Sequence, residues 1–184
     1  LAAATDEEVT SKMREALYYD DFEWIKKHPE ITFKSKKMAE GLENILYKCP
    51  HCGKEFCLKS KKDRFFCTSC GYEVRLNPRY TFLPQRGFPL YFENLRDWFK
   101  AQKAEIALAI TDSDFCLSSP VLLKKRSKDG KTFLREAGRG TCTLSHGGLV
   151  YEGSADGENL RLEFKSSELY ALRYLTGKGF QHFS

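Results

Sequence analysis

No apolar run in this sequence is longer than Ile106-Ala107-Leu108-Ala109-Ile110. A helix that crosses a bilayer needs about 20 such residues, so no helical membrane span is expected. The chain does not open with a basic stretch, an apolar core and a cleavage site, the parts of a secretory signal. It begins at Leu1, which reads as the start of a piece of something longer. A G-x-S-x-G turn or other nucleophile–base arrangement is also missing. What remains is 184 residues, 41% hydrophobic and 30% charged, the composition of a globular chain and not of a disordered tail. That length holds one ordinary domain or two to three small ones, and no large catalytic barrel.

Seven cysteines are present, and their spacing sorts them. Cys49-Pro50-His51-Cys52-Gly53 is followed by Cys67-Thr68-Ser69-Cys70-Gly71. Two C-x-x-C-G knuckles separated this way match a four-thiolate zinc ribbon. Each knuckle brings two sulfurs from one tight turn, and the glycine after it can take positive φ so that backbone amides face the thiolates. Two disulfides in a secreted domain would need a secretory signal, and a redox C-x-x-C comes singly near a βαβ unit. Cys49, Cys52, Cys67 and Cys70 are therefore the expected ligands of a structural Zn²⁺, because four thiolates leave no position for water. His51 is expected to point to solvent. Cys57, Cys116 and Cys142 are expected to be small buried hydrophobes.

Charge is uneven. Residues 1–47 carry 7 basic and 10 acidic side chains, residues 48–88 carry 9 and 3, and residues 89–184 carry 14 and 12. Four thiolates and one Zn²⁺ take two charges from the total of +5, which leaves a modest local excess on the ribbon.

Local pattern predicts an α+β chain in four parts: a helical lead-in over 1–47, the ribbon over 48–76, a linker over 77–91, and a helix with an antiparallel β domain over 92–184. Thr5-Asp6-Glu7-Glu8 is a capping box, followed by Val9, Met13, Ala16 and Leu17 at helical spacing. A second short helix starts at Asp20 or Asp21 and is stopped by Pro29. In the ribbon, residues 54–59 and 64–66 read as hairpin arms turned at 60–63. Pro78, Pro84, Gly87 and Pro89 mark the linker. Residues 92–108 form an amphipathic helix with Leu95, Trp98, Phe99 and Ile106 on its apolar face. From Phe115 the period becomes two. Strands over 121–126 and 132–135 flank an Asp129-Gly130 turn, and further strands follow around Gly147-Gly148, Asp156-Gly157 and 176–179. Six or seven strands in a meander suit a small barrel or a strongly bent sheet.

The runs Arg14-Glu15-Ala16-Leu17-Tyr18-Tyr19-Asp20-Asp21-Phe22-Glu23-Trp24 and Ala39-Glu40-Gly41-Leu42-Glu43-Asn44-Ile45-Leu46-Tyr47-Lys48-Cys49-Pro50 resemble a segment of long-form bacterial 1-acyl-sn-glycerol-3-phosphate acyltransferases. In that family, a zinc ribbon and a β-rich tail follow the catalytic domain. Gly138-x-Gly140-Thr141-x-Thr143-Leu144 and Gly148-Leu149-x-Tyr151-x-Gly153 resemble a pleckstrin-homology or GRAM-type barrel. The family's catalysis needs H-x-x-x-x-D, but the residues five beyond His28, His51 and His146 are Phe33, Phe56 and Tyr151, and His182 is too near the end. The resemblance thus implies a non-catalytic region of a phospholipid-biosynthesis acyltransferase.

Three roles follow as expectations. A regulatory or docking appendage would meet an acyltransferase domain or another protein. Its Lys124, Lys125, Arg126, Lys128 and Lys131 would face anionic lipid headgroups, at the inner face of the membrane of a cytoplasmic protein. A nucleic-acid module would use Lys59, Lys61, Lys62, Arg64, Arg75 and Arg79 beside Phe65, Phe66 and Tyr72. A plain protein–protein scaffold would need neither.

Overall fold

The computed structural model describes residues 5–125, 135–169, 173–175 and 179–181. Two compact units divide the chain, Leu1–Gln102 and Lys103–Ser184.

The first unit opens with helix α1, Asp6–Leu17. Thr5 caps it as the capping box predicts: its hydroxyl accepts from the Glu8 amide, and the Glu8 carboxylate accepts from the Thr5 amide. Helix α2, Asp21–Lys27, is capped by the Asp20 carboxylate, which accepts from the amides of Phe22 and Glu23. Its last carbonyls are taken up by Arg79, which donates to the oxygens of Ile25 (2.7 Å), His28 (3.3 Å) and Pro29 (2.6 Å). A helix end always leaves such carbonyls without an internal partner, and a cation is well placed there.

Strands β1 (Leu58–Lys61), β2 (Arg64–Cys67), β3 (Glu73–Leu76) and β4 (Phe82–Pro84) form one antiparallel sheet in sequence order. The register Leu58↔Cys67, Phe65↔Val74 and Leu76↔Phe82 turns all six of these residues to one face. All six are buried, together with Ala39, Leu42, Leu46 and Trp98. Trp98 comes from helix α3, Leu95–Ala109. Its ring lies 5.4 Å from Phe65, 5.7 Å from Phe82 and 5.7 Å from Phe92 by centroid. One core thus draws on residues from 39 to 98.

Three local expectations change. The first hairpin arm begins at Leu58 and not at 54, because residues 54–56 are occupied by the first knuckle: the Cys49 amide donates to the Lys54 carbonyl, and the Phe56 amide to that of Tyr47. The stretch 77–91 contains β4, whose Phe82 is in the core. On α3, Phe99 is 46% exposed, and the buried face runs through Trp98 to Gln102 instead. The two are four residues apart, so they share one side of the helix.

In the second unit, β5 (Cys116–Lys125), β6 (Arg135–Ser145), β7 (Gly148–Ala155) and β8 (Glu158–Lys165) form an antiparallel meander. The Asp156-Gly157 turn is a two-residue reversal with φ of 54° and 90°, which matches the twist of the strands it joins. Gly140 of β6 faces Gly153 of β7, and the Tyr151 ring lies over the pair. Register places Leu117, Val121, Leu144, Leu149, Tyr151, Leu162 and Phe164 on one face of this sheet. Strands β9 (Arg173–Leu175) and β10 (Gly179–Gln181) pair with each other. Among the described residues the barrel does not close: β5 and β8 are edges, and β9 and β10, three residues each, form a separate hairpin. Cys116 is exposed, contrary to the buried role expected, since β5 is an edge strand and Cys116 is its first residue. No helix among the described residues is long and apolar enough to cross a membrane.

Candidate metal centre

The two knuckles are built alike. In each, the first cysteine's amide donates to the carbonyl five residues on, Cys49 to Lys54 (2.9 Å) and Cys67 to Tyr72 (2.8 Å). In each, the glycine amide closes the turn onto the first cysteine's carbonyl, Gly53 to Cys49 (3.0 Å) and Gly71 to Cys67 (3.1 Å). Gly53 and Gly71 have φ of 71° and 78°, values that a side chain would strain. This geometry turns amides onto the sulfurs: His51 and Cys52 toward Cys49, and Ser69 and Cys70 toward Cys67.

The sulfurs of Cys49, Cys52, Cys67 and Cys70 all lie within 4.8 Å of one another. Cys49 Sγ is 3.8 Å from Cys70 Sγ, and Cys52 Sγ is 3.9 Å from Cys67 Sγ. A tetrahedron with metal–sulfur bonds of about 2.3 Å has edges of about 3.8 Å. The four cysteines chosen by spacing are therefore brought together in a set that could hold a metal ion.

Their protonation fits such a site. Burial pushes the Cys49 and Cys70 thiols up, even with amides partly opposing it. Burial acts the same way on Cys67, but the amides of Cys70 and Ser69 and the Cys57 thiol outweigh it and bring Cys67 down to about 6. One sulfur is thus a ready thiolate at neutral pH, while two others carry protons for a metal to displace. Tyr72, beside the knuckles, is raised to about 12, chiefly by burial.

Two neighbours escaped the spacing argument. Cys57 is half-buried, and its Sγ lies 3.3 Å from Cys67 Sγ while its thiol donates to the Lys54 carbonyl at 3.2 Å. Only the β1–β2 register reveals it, because Leu58, the next residue, pairs with Cys67. Gln102 supports the approach to Cys49 by accepting from the amides of Tyr47 and Lys48. His51 is exposed as expected, yet engaged: its Nδ1 lies 2.9 Å from the Tyr91 hydroxyl, and its ring stacks near Tyr72 and Phe88.

The basic residues of the ribbon divide by partner. Arg64 is bidentate to Glu73 at 2.7 Å, Arg86 approaches the same carboxylate at 3.6 Å, and Arg75 lies 3.7 Å from Asp63. Hydrogen bonding from Arg64 holds the Glu73 carboxyl below its ordinary range. Arg79 caps α2, and Phe65 and Tyr72 are core residues. Lys59, Lys61 and Phe66 are left on the outer face, with Phe66 under the Arg64 guanidinium, and Lys62 sits in the β1–β2 turn. In the second unit, Lys124 and Lys125 are exposed at the end of β5, and Lys125 shares Asp156 with Arg135. Arg126, Lys128 and Lys131 lie outside the described residues.

No family model, curated protein or solved structure matches the chain.

Proposed function

We propose that the four-cysteine site holds one Zn²⁺ as a structural ion, and that the chain is a non-catalytic docking or regulatory region of a phospholipid-biosynthesis acyltransferase. The observation that carries the first part is the donor set: four cysteine sulfurs lie within 4.8 Å of one another, two of the pairs at tetrahedral edge length, and four thiolates on one ion would leave no open position for water or substrate. When bound, the ion would supply folding energy, about 10–16 kcal/mol in small zinc modules. The second part rests on the resemblance of the two flanking runs. Their residues do structural work around the site here. Asp20 and Glu23 bind Arg96 at 2.6 and 3.1 Å, and Ala39, Leu42 and Leu46 fill the core beside Cys49.

The β-rich unit is read as a PH/GRAM-like module, supported by its meander order and by the close Gly140–Gly153 approach within the stretch that carries the resemblance. Its basic hairpin would bring the chain to the inner face of the membrane from the cytoplasm. Each free lysine or arginine there contributes about 1 kcal/mol toward an anionic surface. Lys125 is already neutralised in part by Asp156, which weights the attraction toward Lys124 and the hairpin beyond it.

Metal analysis of the purified chain tests the site, with one Zn²⁺ per chain expected. Co-sedimentation with vesicles of neutral phosphatidylcholine, with and without added anionic phosphatidylglycerol, tests the docking surface. Pelleting only with the anionic lipid, lost in high salt, is expected; equal pelleting with both, or none, overturns it. Co-purification with an acyltransferase catalytic domain, unchanged by added nucleic acid, is expected of the docking role.

A further inference from the structure

The cysteine cluster contains five sulfurs, and a tetrahedral shell accounts for only four. Cys57 Sγ lies 3.3 Å from Cys67 Sγ, nearer than the 3.8 and 3.9 Å edges of the proposed shell. Its backbone is pinned to the second knuckle, where the Thr68 amide (2.8 Å) and the Thr68 hydroxyl (3.0 Å) both donate to the Cys57 carbonyl. A bound metal would hold the four ligand sulfurs apart on the edges of its tetrahedron, whereas Cys57 would stay free to close on its neighbour. Cys57 is half-buried while Cys67 is 2% exposed, so the pair has one sulfur open to a small reagent and one sheltered.

We propose that Cys57 and Cys67 form a reversible oxidation site, in which their disulfide removes Cys67 from the metal shell and opens it. The reading rests on the four-cysteine metal site above. The oxidant is a peroxide. One sulfur of the pair takes an oxygen from H₂O₂ to become a sulfenic acid, and the other displaces that oxygen to form the S–S bond. Overall, one metal-bound thiolate, one thiol and one H₂O₂ give one disulfide, one hydroxide and one water. The two sulfurs together lose two electrons, and the peroxide gains them. Three thiolates remain around the ion, a shell that holds it less tightly and admits water. A dithiol reductant restores both sulfurs, and the site reloads when metal is supplied.

The test uses the full chain, and metal content is measured before any oxidant is added. A chain that carries no metal at that point overturns the metal reading, and this inference with it. With metal present, H₂O₂ is added while release is followed with a chromogenic chelator, and disulfides are mapped by peptide mass spectrometry. The expected product links Cys57 to Cys67. Cys57→Ser is expected to bind the metal as the unaltered chain does and to release it roughly tenfold more slowly, since the neighbouring thiol no longer acts at high effective concentration. Cys142→Ser, which alters a thiol outside the cluster, is expected to release at the unaltered rate. Release from Cys57→Ser at the unaltered rate, or a mapped bond within Cys49–Cys52 or Cys67–Cys70, overturns the inference and leaves the metal site standing.

Discussion

Gln102 and Lys48 are joined across the first unit by one hydrogen bond: the Gln102 side-chain oxygen accepts from the Lys48 amide at 3.0 Å. The same oxygen accepts from the Tyr47 amide at 3.1 Å, and the Gln102 nitrogen donates to the Ile45 carbonyl at 3.3 Å. Gln102 is 5% exposed. A buried amide side chain that satisfies three backbone groups fixes the segment that delivers Cys49, and does so from a helix more than fifty residues away.

Gln102→Leu keeps the volume and removes all three bonds. Two amides and a carbonyl then lose their partner, and each unsatisfied buried group costs about 1–3 kcal/mol. Partial relaxation of the 45–48 segment lowers the sum, so a loss of about 2–4 kcal/mol is expected from urea unfolding of the metal-loaded chain. Metal stoichiometry should stay the same, because none of the four sulfurs is touched. Trp98→Ala, at a ring packed on Phe65, Phe82 and Phe92, is expected to cost about 3–5 kcal/mol in the same measurement.

Substitution of any one ligand cysteine, with Cys70→Ser as the plainest, is expected to abolish stoichiometric metal binding and to lower the thermal midpoint of the first unit. A strong chelator should do the same to the unaltered chain, and added Zn²⁺ should reverse it. His51→Ala is expected to keep full metal content, since its ring is held by Tyr91 outside the four-sulfur set. Elemental analysis after gel filtration reads all three.

Metal affinity should rise steeply with pH, and the sign follows from the thiols. Cys49 and Cys70 are raised, so both enter binding as thiols at neutral pH and give up their protons to solvent. Displacing at least these two protons makes the apparent constant climb at least about a hundredfold per pH unit. Cys67, at about 6, is already a thiolate at neutral pH and adds its own proton only in acid. Chelator competition across about pH 6–8, corrected for the chelator's own titration, measures the slope. A flat profile would show that the metal meets thiolates already formed.

Legibility followed chemistry that is local. The Thr5 capping box, the Asp20 cap, the Pro29 stop, both knuckles and the Asp156-Gly157 turn are each settled by a few adjacent residues, and the structure holds each where the pattern put it. The strand inside the 77–91 linker has one cause. Pro84 marks a linker by composition, yet β4 is an edge strand, where a missing N–H points away from the ladder and costs no pairing; Pro120 sits on the edge strand β5 in the same way. Cys57 and Gln102 were opaque for another reason: their roles depend on which distant segment lies opposite, and register and helix docking are not written in neighbouring residues. The glycines of β6 and β7 stood out as a resemblance, and the structure gives them a packing reason as well.

That packing makes the last prediction. At Gly140 a Cβ would overlap the Glu152 carbonyl and the Tyr151 ring, and at Gly153 it would meet the Gly140 backbone opposite. Tyr151 is 5% exposed, and its hydroxyl donates to the Ser154 carbonyl at 2.8 Å, so the ring cannot swing aside without losing that bond. The absence of two side chains is what lets an aromatic ring lie flat over the strand pair. Gly140→Ala is therefore expected to destabilise the second unit by about 1–3 kcal/mol, the usual cost of forcing an extra carbon into a filled space. Gly157→Asn is the control. Gly157 has φ of 90°, but nothing lies within 4 Å of its Cβ position, and asparagine tolerates the left-handed region better than most residues. Its cost should stay below about 1 kcal/mol. Thermal unfolding of the two variants, followed by tyrosine environment in near-ultraviolet circular dichroism, separates them; equal losses would mean that backbone strain and not the Tyr151 contact sets the need for glycine.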